Sequence, residues 1–150
     1  MTVTVRLLPD ANLLVATLGG SVTIADIVAR IRANAADPQF RPDMDRLIFM
    51  QGDLNLSEAE LSGVVAMKDE IISKYYAGKA PASGGGPMFR AALLARPSPN
   101  DSILRLFQVV MEMNGMAVDC RTFQDVAEAL QWLGLTRLSA DMFEDEMRGI

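Results

Sequence analysis

The chain has 150 residues, half of them apolar and 22% charged, which suits one domain with its own core and argues against disorder. Its 14 basic and 19 acidic residues leave a net charge of −5, which disfavours nucleic acid and gains nothing at an anionic membrane surface. With no histidine and one cysteine, Cys120, an intrachain disulfide, an imidazole metal site and a serine–histidine or cysteine–histidine nucleophile pair are all excluded.

Val3, Val5 and Leu7 alternate with Thr4 and Arg6, which predicts a half-buried strand over 3–8. Pro9-Asp10-Ala11-Asn12 is turn chemistry, and residues 13–18 form a second strand. The pair reads as an antiparallel hairpin ended by Gly19-Gly20. Thr23 is then an N-cap with Asp26 three positions on, followed by Ile24, Ile27, Val28 and Ile31 at helical spacing. That helix should fade near Ala36, because Pro38 disfavours helix in Asp37. The run Leu47-Ile48-Phe49-Met50 predicts a strand buried on both faces.

Ser57 caps the next predicted helix, with Glu60 three on and Leu61, Val64, Val65, Ile71, Ile72 and Tyr75 on one side. Lys68 interrupts that stripe and packs by its stem. The glycine-rich stretch 77–87 reads as a loop, Phe89 to Ala95 as the fourth strand, 101–114 as a third long helix, and Ala117 to Cys120 as a short fifth strand. Thr122 with Asp125 predicts the start of the last core helix, carrying Phe123, Val126, Ala127, Leu130 and Leu133 and closing at Gly134. Ser139 is placed to cap a short acidic tail helix from Ala140 to Met147.

The expected fold is therefore α/β: a mixed five-stranded sheet, with an N-terminal antiparallel hairpin and then parallel βα units, and about four helices. Residues 1–134 make the domain. Residues 135–150 make a tail that packs on the domain or on a partner. No apolar run approaches the length of a membrane span, and the N-terminus lacks a signal-peptide core. With one cysteine, these features predict a cytoplasmic protein without a transmembrane segment.

This order, with Gly20-Ser21-Val22-Thr23-Ile24-Ala25-Asp26 after the hairpin, Asp37-Pro38-Gln39-Phe40-Arg41-Pro42 before the third strand, and the word from Phe123 to Gly134, resembles the STAS fold of anti-sigma-factor antagonists. It is similar above all to small bacterial STAS-like proteins grouped with the CRAL-TRIO lipid-exchange fold. The resemblance implies a non-enzymatic regulatory or binding domain. It also implies a phosphorylated serine just after the third strand, a position that Ser57 matches. The local word Gly52-Asp53-Leu54-Asn55-Leu56-Ser57 departs from the family's Asp-Ser-Ser-Gly type of sequence.

A phosphoryl group at Ser57 would be favoured by the free amides of a helix N-terminus; the plainer use of the hydroxyl is an N-cap. Asp53, Asn55 and Ser57 alternate like the opening of a calcium loop, but Glu58 and Val64 stand where such a loop needs glycine and glutamate. No metal or other cofactor is expected. Ser83-Gly84-Gly85-Gly86-Pro87 lacks the lysine and following helix of a phosphate cradle. Asp141, Glu144, Asp145 and Glu146 alternate with Met142, Phe143 and Met147, as an amphipathic tail helix does. Leu104, Val109 and Met111 are apolar off the core stripe of their helix. Either a helix buried under the tail or a self-association or partner surface accounts for them. Trp132, predicted opposite Phe123 on one helix, needs cover from Leu135, Leu138, Met142 or Phe143.

Three functions follow. The first is a non-catalytic STAS-like module, a homodimer or the binder of a protein partner. Its surface would be the crevice beyond the carboxyl ends of the parallel strands: Asp53, Asn55 and Ser57 after one strand, and Arg96, Ser98 and Asn100 after the next. Leu104, Met111, Trp132 and Phe143 are interface candidates. The second is a carrier of a small apolar ligand or lipid in a CRAL-TRIO-like pocket. The third, an enzyme built on Asp53 with Lys68 or Lys79, has no recognisable acid–base pair behind it.

Overall fold

A hairpin opens the chain in the computed structural model, which describes residues 2–19, 26, 29–30, 33–34, 36–41, 43–51, 89–95, 118–148 and 150. Strand β1 (Thr2–Leu8) pairs antiparallel with β2 (Leu13–Gly19), from Leu8↔Leu13 to Thr2↔Gly19. A 3-10 turn over Pro9–Ala11 joins them, and Asn12 closes it in the left-handed region at φ 50°, where asparagine is better tolerated than most residues. The Asp45 amide donates to the Asn12 carbonyl at 3.0 Å, which ties the turn to the start of the next strand.

Strands β3 (Asp45–Met50), β4 (Phe89–Leu94) and β5 (Val118–Phe123) extend the sheet in chain order, each parallel to the one before. The mixed five-stranded sheet is thus as expected. Asp26, Ala29, Arg30, Ala33, Asn34 and Ala36 are helical and Asp37 is not, in keeping with the proline at position 38. The helices expected from Ser57 and over 101–114, and the loop expected over 77–87, lie outside the described residues.

The side chains of each strand alternate between two apolar layers. Leu13, Val15, Leu47, Phe49, Ala92 and Leu94 pack with Val126, Ala129, Leu130, Leu133, Leu135 and Phe143. Leu14, Ala16, Leu18, Ile48, Met50 and Leu93 form the opposite layer with Val3, Val5, Leu7 and Phe40. Both faces of β3 are therefore buried, and its sequence is continuously apolar for that reason.

The last core helix departs from its predicted start. It is α1 (Val126–Trp132), and its cap is Asp125, whose carboxylate accepts from the Ala127 amide at 2.9 Å. Thr122 and Phe123 instead finish β5, opposite Leu93 and Leu94. Their β-branched and aromatic side chains suit a pleated surface, and that preference outweighs the capping-box pattern. Gly134 has φ +74°. The Leu135 amide returns to the Leu130 carbonyl (2.8 Å) and the Gly134 amide to Gln131 (3.1 Å), the pair of bonds that closes a Schellman motif. A Cβ at this position would meet nothing within 4 Å. Gly134→Ala should therefore lose about 1 kcal/mol through backbone conformation alone. Urea denaturation checks this, and an unchanged midpoint would contradict it.

The tail folds back on the domain. Ser139 Oγ accepts from the Asp141 amide at 3.3 Å, a 3-10 turn follows over Ala140–Phe143, and α2 (Glu144–Met147) completes it. Phe143 is fully buried and stacks on Phe49 with ring centroids 6.0 Å apart.

Candidate functional site

Because β2 to β5 run in one direction, their carboxyl ends, Gly19, Met50, Leu94 and Phe123, share one edge of the sheet. The ends of β3 and β4 are neighbours, with Phe49 opposite Leu94. The segment that carries Asp53, Asn55 and Ser57 starts from the first of these ends, and the segment that carries Arg96, Ser98 and Asn100 starts from the second. These six residues, with Leu104 and Met111, lie outside the described residues.

The strand order β1-β2-β3-β4-β5 runs without a reversal. The described sheet thus lacks the switch point that opens a crevice between strand ends in doubly wound folds. Its carboxyl edge is a shelf of adjacent ends. Gln51 stands on that shelf. Its amide donates to the Leu18 carbonyl at 2.7 Å, and its Nε2 donates to the Glu146 carbonyl at 2.7 Å. The tail therefore borders the shelf. Arg6 holds the same stretch of tail, reaching Glu146 Oε1 at 2.9 Å and the Met142 carbonyl at 3.0 Å.

Trp132 and Phe143 have contacts within the chain. Phe143 lies in the core, with the Arg6 guanidinium 5.2 Å from its ring centroid. Trp132 is half-buried and packs on Phe123 at 5.5 Å. It meets Phe123 because that residue belongs to β5 and not to the same helix. The guanidinium groups of Arg90 and Arg121 lie 5.8 and 5.3 Å from the indole, and Arg90 Nη1 donates to the Trp132 carbonyl at 3.0 Å. Of the residues expected to cover it, Leu135, Leu138 and Phe143 belong to the same apolar cluster as Trp132, whereas Met142 is outside that cluster and exposed.

Arginine–aromatic contacts are the feature that sequence reasoning missed. The sharpest is at Arg46, which is buried at the start of β3 with its guanidinium 3.8 Å from the Phe89 ring centroid and 5.6 Å from that of Phe40. The signal was a charged residue directly before the apolar run of a strand, with Phe40 six residues before it and Phe89 far along the chain, and spacing alone does not connect Arg46 with Phe89.

Among the described residues, two groups are shifted in their titration. Burial raises the Asp45 carboxyl above its ordinary 3.8, against the hydrogen bond from the Arg90 amide (2.8 Å) and the charges of Arg90 and Arg46. An acid whose folded pKa is raised binds its proton more tightly when folded. Its contribution is thus present below 3.8 and declines as pH rises through the higher folded value. Asp45→Asn keeps an acceptor for the Arg90 amide but cannot ionise. Relative to wild type, the variant should gain stability as pH rises above 3.8, the ordinary value that burial pushes upward in the folded chain; parallel pH–stability curves would contradict this. Burial, and then the charge of Asp119, push the Cys120 thiol up to about 11. It is therefore a poor nucleophile near neutral pH.

Among the described residues no group of three Cys, Asp or Glu side chains is placed to hold a metal ion. No described helix is long and apolar enough to cross a membrane. No protein-family model, curated protein or solved structure matches the chain.

Proposed function

We propose that the chain is a non-enzymatic, STAS-like binding or regulatory module of the cytoplasm that meets a protein partner along the carboxyl edge of its sheet. The observation that supports this reading is the adjacency of the β3 and β4 ends. The stretch with Asp53, Asn55 and Ser57 follows the first of these ends in the chain, and the stretch with Arg96, Ser98 and Asn100 follows the second. A partner would meet acidic, amide, hydroxyl and basic groups together there, with the tail anchored at Gln51 beside them. The antiparallel hairpin followed by parallel strands supports the STAS-like assignment, and the single cysteine agrees with a reducing compartment.

Affinity capture with wild type and Ser57→Glu tests the regulatory part. A partner bound by one form and lost by the other is the expected result; identical partner sets would rule out a phosphate switch at this serine. Native mass spectrometry of freshly purified protein addresses the carrier reading. An apo mass is expected, and a co-purified apolar ligand would favour the carrier instead.

A further inference from the structure

The two edges of the described sheet, β1 and β5, differ in their charges. On β5 the word Val118-Asp119-Cys120-Arg121-Thr122 places an acid and a base symmetrically about Cys120. The Phe123 carbonyl accepts from the Ala95 amide at 3.4 Å, so Phe123 turns its backbone polar groups toward β4. Successive residues of a strand alternate in this respect. Asp119 and Arg121 therefore also turn theirs toward β4, and Val118, Cys120 and Thr122 turn theirs to the open side. No hydrogen bond to a described residue reaches those three from the open side.

We propose that β5 is a self-association edge, to which a second copy of the chain adds its own β5 antiparallel about a two-fold axis at Cys120. This surface is separate from the carboxyl edge, and the inference stands without the function proposed there. In this register Cys120 faces Cys120 and Val118 faces Thr122 as hydrogen-bonded pairs, which uses the outward groups of all three residues. Asp119 then faces Arg121 of the second copy twice, at non-hydrogen-bonded positions, where opposing side chains approach most closely. Both charges are available for this. Within one chain Arg121 Nε is 4.0 Å from Asp119 Oδ1, with 61% and 45% of the two side chains exposed. The indole of Trp132 lies 5.3 Å from the Arg121 guanidinium and holds it at the strand.

Charges on an edge strand ordinarily keep copies apart. Opposite charges placed symmetrically about a two-fold axis do the reverse, because each copy offers the other its complement. Strand β1 has no such register. Its one charged residue is Arg6, which is already paired with Glu146.

Sedimentation velocity on the full chain decides the matter, with wild type, Asp119→Lys, Arg121→Glu and the double variant Asp119→Lys/Arg121→Glu. Wild type is expected to dimerise. Each single variant, which sets two like-charge pairs face to face, should weaken the dimer by about tenfold or more. The double variant restores opposite charges and should return to near wild-type affinity. Monomeric wild type, single variants that dimerise as well as wild type, or a double variant as weak as the singles would each overturn the proposal. Hydrogen exchange on wild type needs no folded variant. The Cys120 and Thr122 amides should be protected in concentrated and not in dilute protein, and exchange independent of concentration would overturn the proposal as well.

Discussion

Phe143→Ala is expected to cost about 3–5 kcal/mol of stability, the range for removing a fully buried ring. Phe143 has no exposed surface, although it lies seven residues before Ile150, and its ring stacks on Phe49 near the carboxyl end of β3. The polar contacts of the tail are weaker anchors. The Arg6 side chain is 41% exposed, and an ion pair of that kind contributes about 0.5 kcal/mol. Arg6→Ala should therefore leave the tail docked, whereas Phe143→Ala should release it. Urea denaturation measures the first quantity, and hydrogen exchange over residues 139–150 measures the second. A double-mutant cycle with Phe49→Ala should show coupling of about 1 kcal/mol, as packed aromatic pairs do. A loss below about 1 kcal/mol for Phe143→Ala would mean that the tail is not part of the core.

Arg46→Ala is the second large effect, at about 2–3 kcal/mol. The guanidinium at 3.8 Å from the Phe89 centroid lies over a ring that is itself buried, so both the cation–π attraction and the packing of the stem would be lost in a site of low dielectric. Arg46→Lys keeps the charge but not the planar stack, and should recover about half of the loss. Arg46→Met keeps the stem without the charge. If all three variants fall within about 0.5 kcal/mol of wild type, the stacked arrangement contributes nothing to stability.

These two sites mark the limits of what was legible in sequence. The hairpin was readable because Val3, Val5 and Leu7 alternate and Pro9 to Asn12 is turn chemistry, and β3 because an unbroken apolar run means burial on both faces. Gly134 and Ser139 were readable from local capping rules, and both act as those rules require. The end of β5 was not. Thr122 and Asp125 have the spacing of a capping box, while the pairing of Thr122 and Phe123 with Leu93 and Leu94 is non-local. That three-residue shift puts Phe123 on a helix, opposite Trp132, when the two rings in fact pack together. Sequence makes Phe143 a candidate cover for Trp132 and an interface candidate. Its place in the core depends on Phe49, far away in the chain. The strand order, which removes the switch-point crevice, is likewise a property of the whole sheet. Of the proposed site, sequence supplied the residues and the structure supplied the adjacency of the β3 and β4 ends.

The most direct test of the proposed carboxyl-edge surface is quantitative affinity capture from lysate of the source cells. It compares wild type with Asp53→Ala/Arg96→Ala, once thermal melting has shown that the variant is folded. The account predicts at least one partner that is retained by wild type and depleted in the variant. A folded variant that retains every partner of wild type would contradict it.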